Sequence, residues 1–379
     1  MSFGILFVVV LAGIAGPLLA VGRRVLVPVV VGEIAAGLVL GRSGARVLHP
    51  AQPTLSFLGD IGFAMLMYTA GMHVPLRRPA LVRQLRRGAF GFGIAAVLAI
   101  AAGWFAAWAG GVPHPALYAV VLGSGSAAVL VPSLDELHQL ENADALAVAA
   151  QVAIADVVGI GAVPLVLQPH RAFHAVLGIL AVGASAVALL AVVRELRGVA
   201  WVRSLRLLSK RRQWALDLRL SLIVLFGLCW VATRLGTSIL VAGFAVGLVV
   251  AAVGGPKRLA RQVTGVAQGF FVPLYFVVLG ARIDVRELAH QSSLLTLAVL
   301  LVALNVALHL VAAVATRQPA PAGLAATAVL GVPAAVVSLG LQDRVLSPGA
   351  GAAIMVAALI SIMTCELGVA ILARRQHLH

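Results

Sequence analysis

About thirteen stretches of this chain are apolar over roughly the 20 residues that a helix needs to cross a hydrocarbon core ~30 Å thick. They lie near 3–21, 25–41, 55–73, 88–110, 114–133, 143–167, 173–193, 219–234, 237–253, 263–281, 292–316, 321–341 and 350–373. Hydrocarbon offers no water to an unpaired backbone group, so consecutive spans of this kind can only be helices. The expected fold class is therefore an all-α polytopic membrane protein of about thirteen transmembrane helices. Of the 379 residues 61% are hydrophobic and 11% charged, where a soluble chain carries about 25% charged residues. A soluble domain and a disordered chain are both excluded. A disulfide scaffold is excluded too, because the only cysteines, Cys229 and Cys365, sit inside apolar runs. Residues 1–20 show no basic region ahead of their apolar stretch, so they read as a first helix and not as a removed signal.

The formal net charge of +15 does not point to nucleic acid, because the basic residues fall in the gaps between spans. With the N-terminus outside, the inner gaps hold 21 of the 28 Lys and Arg, among them Arg23 and Arg24, and the outer gaps hold Arg42, Arg46, Arg171, Arg234, Arg282, Arg286 and Arg344. The bias predicts an outer N-terminus and a cytoplasmic C-terminus in a cell inner (plasma) membrane. The longest polar stretch, 194–219, reads as a cytoplasmic linker helix lying on an anionic leaflet, with Trp201 and Trp214 at the interface. No soluble domain is expected after the last span, since the sequence ends a few residues beyond it at Arg374, Arg375 and 376–379.

The chain reads as one membrane unit over 1–379: a first helix 3–21, a repeat over 25–167, linker helices and a basic loop over 173–234, and a second repeat over 237–373. The repeats start on opposite sides, so they are inverted, and each should have an interrupted fourth helix. Breakers stand where that symmetry asks for them. Span five carries Gly123, Ser124, Gly125, Ser126 and Pro132; span twelve carries Gly331, Val332, Pro333 and Ser338.

An ionisable group at membrane depth costs about 2.5–3.5 kcal/mol on insertion scales. Asp156 is the outstanding case, in the middle of span six with no basic residue near it in sequence. Its carboxylate can bind a dehydrated monovalent cation or hold a proton, and the two states exclude each other. The alternative is a protonated structural acid. Four stretches then carry a resemblance: VVGEIAAGLVLGRSG at 30–44, LGDIGFAMLMYTAGMHV at 58–74, VAIADVVGI at 152–160 and GFFVPLYFVVLGARID at 269–284. The chain resembles the cation/proton antiporter superfamily, and within it the Kef-like monovalent cation/proton antiporter branch without its regulatory tail.

That resemblance implies two inverted five-helix repeats, a dimerisation domain, and a core in which two broken helices cross beside an ion-binding aspartate. Asp156 would be that residue, with Ser126 and Ser124 as candidate oxygen ligands of a monovalent cation. The family's Thr-Ser-Pro element is represented here by Gly125, Ser126 and Ala127, so the threonine hydroxyl is missing. For either serine, a hydroxyl bonded back to the helix backbone is the alternative. Electrogenic relatives pair two acids in span six and place a lysine in span eleven; this chain has Ala155 before Asp156, and Asn305 with His309 in the lysine's region. Losing both partners is coherent, since removing one would strand a buried charge at about 3–5 kcal/mol. Asn305 and His309 could equally pack as neutral polar groups. Gln151 and Glu366 complete the supporting set, Glu366 either lining a cytoplasmic funnel or meeting His309, while Glu33 reads as structural.

The resemblance thus implies a secondary transporter of pH homeostasis that exchanges Na⁺ or K⁺ for H⁺ at one aspartate. It would be electroneutral, homodimeric, embedded in lipid, free of cofactors and nucleic acid, and not an enzyme. A channel-like or non-transporting protein on the same scaffold, and a carrier of a small organic anion, are the competing readings.

Overall fold

The computed structural model describes residues 2–20, 28–74, 76–77, 79–140, 142–254 and 257–376. Among these residues the protein is entirely helical. The expected start of span two at 25, the inner-side Arg23 and Arg24, Arg78, and the terminal residues 377–379 lie outside the described residues. In chain order the helices are α1 (Phe3–Gly13), α2 (Ala15–Ala20), α3 (Val29–Leu40), α4 (Pro53–His73), α5 (Pro79–Gly110), α6 (Pro115–Gly123), α7 (Ala127–Glu136), α8 (Ala143–Leu167), α9 (Ala172–Gly198) and α10 (Ala200–Arg211). They continue as α11 (Leu216–Arg234), α12 (Ile239–Val253), α13 (Lys257–Val266), α14 (Val272–Arg282), α15 (Val285–His290), α16 (Ser292–Ala315), α17 (Ala320–Ala325), α18 (Gly331–Gln342) and α19 (Pro348–Gln376).

Among the described residues ten helical stretches are long and apolar enough to cross a membrane, and the apolar helices α3, α12 and α18 are shorter. Together they reproduce the thirteen expected segments. Four of those segments are composite, the first being α1 plus α2. Span five is α6 plus α7, span twelve is α17 plus α18, and span ten is α13 and α14 joined by a π-helical turn at Ala267–Phe271. The linker stretch is divided: α9 runs on to Gly198, and the separate, strongly amphipathic α10 follows, with Trp201 exposed in its first turn.

Packing repeats with two-fold logic. The first helix of each repeat lies against the second helix of the other, α3 on α14 and α12 on α4. Both crossings depend on glycine. A methyl group at Gly71 or Gly247 would strike the backbone of the opposite helix, at Phe244 O and Tyr68 O respectively; Gly37 and Gly280 are related in the same way, through Val277 O and Ile34 O. Close backbone approach through small residues is how membrane helices gain contact when burial from water drives nothing.

The remaining repeat elements form a second bundle. α5 packs on α6, α8 and α16, while α16 packs on α17 and α19. Across the pseudo-symmetry α18 touches α8 and α7 touches α19. α8 is the most enclosed of the long spans and α9 the least. Arg87 closes one end of this bundle: its guanidinium pairs with Asp144 at 2.8 Å in the first turn of α8 and donates to Thr316 O and Arg317 O at the end of α16. Both charges meet the helix end that favours them.

Gly247→Val is expected to separate α12 from α4 and to lower stability by about 1–3 kcal/mol through overpacking. Thermal unfolding of the purified variant in detergent checks this, and an unchanged midpoint would contradict the glycine contact.

Candidate functional site

Both interrupted helices are present, and each break turns on where a helix can end. α6 stops at Gly123, residues 124–126 run without helical structure, and α7 begins at Ala127. The first break therefore falls on Ser124, Gly125 and Ser126, as the sequence suggested. Pro132 does not belong to it and lies inside α7. The second break falls at 326–330, ahead of the expected glycine and proline. Gly331 opens α18 and Pro333 sits in its first turn, with Ser338 further along. A proline in the first turn lacks only an N–H that would go unbonded there, so it marks where a helix starts and not where it is interrupted.

The two breaks converge on α8. A methyl group at Gly125 would lie 3.1 Å from Ala155 Cβ, and one at Gly159 would lie 3.0 Å from both Ser124 Cβ and Val332 Cγ2. Between these glycine contacts stands Asp156, 2% exposed, whose Oδ2 accepts the Ala127 N–H at 3.1 Å. That N–H is the first of α7, one of about four that a helix leaves unpaired at its start. The carboxylate thus lies at the positive end of a half-helix, inside the membrane span, with α18 beginning close by.

Ser124 and Ser126 are both buried. Ser124 Oγ donates to Val121 O at 2.7 Å, the back-bonded arrangement, which still leaves oxygen lone pairs able to accept. Ser126 precedes α7 without capping it, and among the described residues its hydroxyl has no hydrogen-bond partner. Gln151 is buried one face away, with its side-chain carbonyl against Gly91 of α5.

Asn305 and His309 serve the second break. Asn305 Nδ2 donates to Thr327 O at 3.0 Å, while its buried Oδ1 has no partner among the described residues. His309 Nδ1 lies 2.8 Å from Asn305 O; since a carbonyl only accepts, that contact places the proton on Nδ1. Neither residue hydrogen-bonds Asp156. Glu366, half-buried on α19, meets Ser133 of α7, whose hydroxyl lies 2.5 Å from Glu366 Oε1 and 3.0 Å from Val129 O. The alternative contact with His309 is not made.

Sequence reading missed two hydroxyls at the second break. Thr327 Oγ1 donates to Leu324 O or Ser361 O, and Ser361 Oγ lies 3.2 Å from Val329 N, whose N–H it accepts. Tyr275 Oη also donates to Ala334 O in α18 at 3.0 Å. A lone Thr or Ser within an apolar run was the available signal.

The family model described as "Sodium/hydrogen exchanger, transmembrane" matches residues 6–375. The chain belongs to the sodium/hydrogen exchanger family. It therefore falls in the cation/proton antiporter superfamily, among membrane transporters and not enzymes. It is 23% identical over 384 residues to the "Putative Na(+)/H(+) antiporter YjbQ" of Bacillus subtilis (strain 168), a match covering 96% of this chain and 62% of that protein. The chain thus spans less than two thirds of that relative's length. It is also 22% identical over 302 residues to a Na(+)/H(+) antiporter of Enterococcus hirae, covering 76% of this chain and 75% of the relative. Among solved structures, the sodium proton antiporter MjNhaP1 from Methanocaldococcus jannaschii superposes with a TM-score of 0.68 at 16% identity, covering 98% of this chain and 96% of that one. The all-helical fold of that antiporter is the one described above.

Asn305→Leu should leave the Thr327 carbonyl unpaired in an apolar setting, at a cost of about 1–3 kcal/mol. The thermal midpoint in detergent is expected to fall; an unaltered midpoint would show that Asn305 does not support the break.

Proposed function

We propose that this protein is a secondary antiporter, in the Kef-like branch, that exchanges a monovalent cation, Na⁺ or K⁺, for H⁺. The observation that carries this reading is the buried Asp156 carboxylate held against the first N–H of α7 where both broken helices meet α8. A bound cation and a bound proton compete there for one charge. Ser126 supplies an uncommitted hydroxyl to the cation and Ser124 a second oxygen, with Gly123 and Gly125 letting the backbone come close. The α5–α8 and α16–α19 bundle would move as the carrier against α3, α4, α12 and α14, opening Asp156 to one side and then the other. A homodimer through the second group, an outer N-terminus, a cytoplasmic C-terminus and residence in the plasma membrane complete the proposal; the basic-residue bias supports that orientation.

The basal test is Asp156→Asn in proteoliposomes with a pH-sensitive dye, comparing Na⁺, K⁺ and choline. A folded variant without ion-driven proton flux is expected, and flux at the parental rate would overturn the assignment. Asp156→Glu should retain part of the activity.

Stoichiometry follows from the charge at the site. One carboxylate without a lysine partner carries one cation or one proton, so the carrier bears the same charge in both loaded states. Exchange should be electroneutral, and a membrane potential clamped with valinomycin should not drive it. Steady turnover currents on a supported membrane would contradict this and point to a second proton at Glu366 or His309. In that event Glu366→Gln and His309→Gln should each be tested for loss of the current.

A further inference from the structure

Away from Asp156, at the end of the bundle where α3 passes into α4, α14 into α15 and α18 into α19, lies a cavity of about 680 Å³. Its lining holds Arg42, Arg46, Arg282, Arg344 and His49, together with Ser56, and among the described residues that line it there is no Asp or Glu. Four of the chain's 28 basic residues are thus collected around one space. Like charges so placed repel one another unless an anion lies among them.

The walls of this cavity are fixed. Ser43 Oγ accepts the Val285 N–H at 3.0 Å and lies 3.3 Å from Ile283 O, which ties the α3–α4 link to the start of α15. On the other side Asp284 N donates to Pro348 O at 3.0 Å and Gly349 N to Glu287 Oε2 at 2.9 Å, tying in the α18–α19 link. Arg282 is set by donating to Ser56 Oγ at 2.9 Å. Arg46 and Arg344 leave the backbone from left-handed conformations, φ 56° and φ 57°, which cost a non-glycine residue about 1–2 kcal/mol. Of the nearby acids, Asp60 lies beside Arg282 and offsets that one charge, whereas Asp284 caps α15, Glu287 holds Gly349 and Asp343 accepts from Gln168, so the charges of Arg42, Arg46 and Arg344 have no acid among the described lining residues.

We propose that this cavity binds a phosphate-bearing anion. Guanidinium groups match phosphate oxygens with paired, charge-assisted hydrogen bonds, and the volume falls in the range of small-ligand sites. Two sources share this chemistry. One is the headgroup of an anionic phospholipid, whose phosphate lies at the level where spans end; the other is a free phosphate from solution. The inference is independent of the cation reading at Asp156.

The test uses the full-length protein with the double variant Arg46→Ala/Arg344→Ala. Arg171→Ala/Arg234→Ala serves as a control that removes the same charge from exposed positions outside the cavity. In one arm, inorganic phosphate is titrated into delipidated protein in detergent and followed by calorimetry. In the other, nanodiscs of phosphatidylglycerol or phosphatidylcholine are compared by native mass spectrometry for retained lipid. The expected result is binding of phosphate, of phosphatidylglycerol over phosphatidylcholine, or of both, weakened about tenfold or more in the cavity variant and less than twofold in the control. Binding in one arm alone identifies the source. The absence of binding in both arms, or equal weakening by the two variants, would overturn the proposal; a circular dichroism spectrum matching the parent guards against misfolding, and Arg42→Ala provides a second cavity variant should the first fail to fold.

Discussion

A helix that stops halfway across a membrane leaves backbone donors and acceptors where no water can reach them, and much of the second bundle of this protein answers that one constraint. At the first break the Ala127 N–H is taken by Asp156 and the Val121 carbonyl by Ser124. At the second, Asn305 donates to the Thr327 carbonyl and Ser361 accepts from Val329. α8, α16 and α19 each supply a polar side chain to a break they flank. The difference between the two breaks matters most. One is satisfied by a carboxyl group, the other only by amides and hydroxyls.

The sequence carried most of the architecture because apolar length, in a medium without water, admits few readings. The thirteen spans and the first break followed from composition and from Gly-Ser-Gly-Ser at 123–126, where no side chain favours helix. The second break was placed late because glycine and proline both fit the first turn of α18, and nothing in Ala326 to Leu330 opposes helix locally. Its position comes from tertiary partners, Asn305 and Ser361, that lie far off in sequence. The same holds for Glu366, whose meeting with Ser133 joins α19 to α7 and has no local sign. The π-helical turn at Ala267–Phe271 was equally silent, since a wider turn needs no special residue type.

Asp156 itself was legible, since a lone acid in an apolar helix demands a reason, but its direction was not. That it faces the start of α7 depends on Gly125 and Gly159, which admit the break to within contact of α8. The neutral Ala155 and Asn305, which depart from the paired-charge pattern, are consistent with one another: each stands where a charge would need a partner that the other does not provide.

The reciprocal glycines of α3 with α14 and α4 with α12 also set what can move. Sliding α4 along α12 by about one turn would bring Tyr68, which shares the face of Gly71, against backbone that now meets only hydrogen. Each crossing therefore has one permitted register, and two crossings at different places in the frame remove rotation about either. The four helices therefore form a frame of fixed register, which touches the second bundle at fewer places, such as α4 against α7 and α14 against α18.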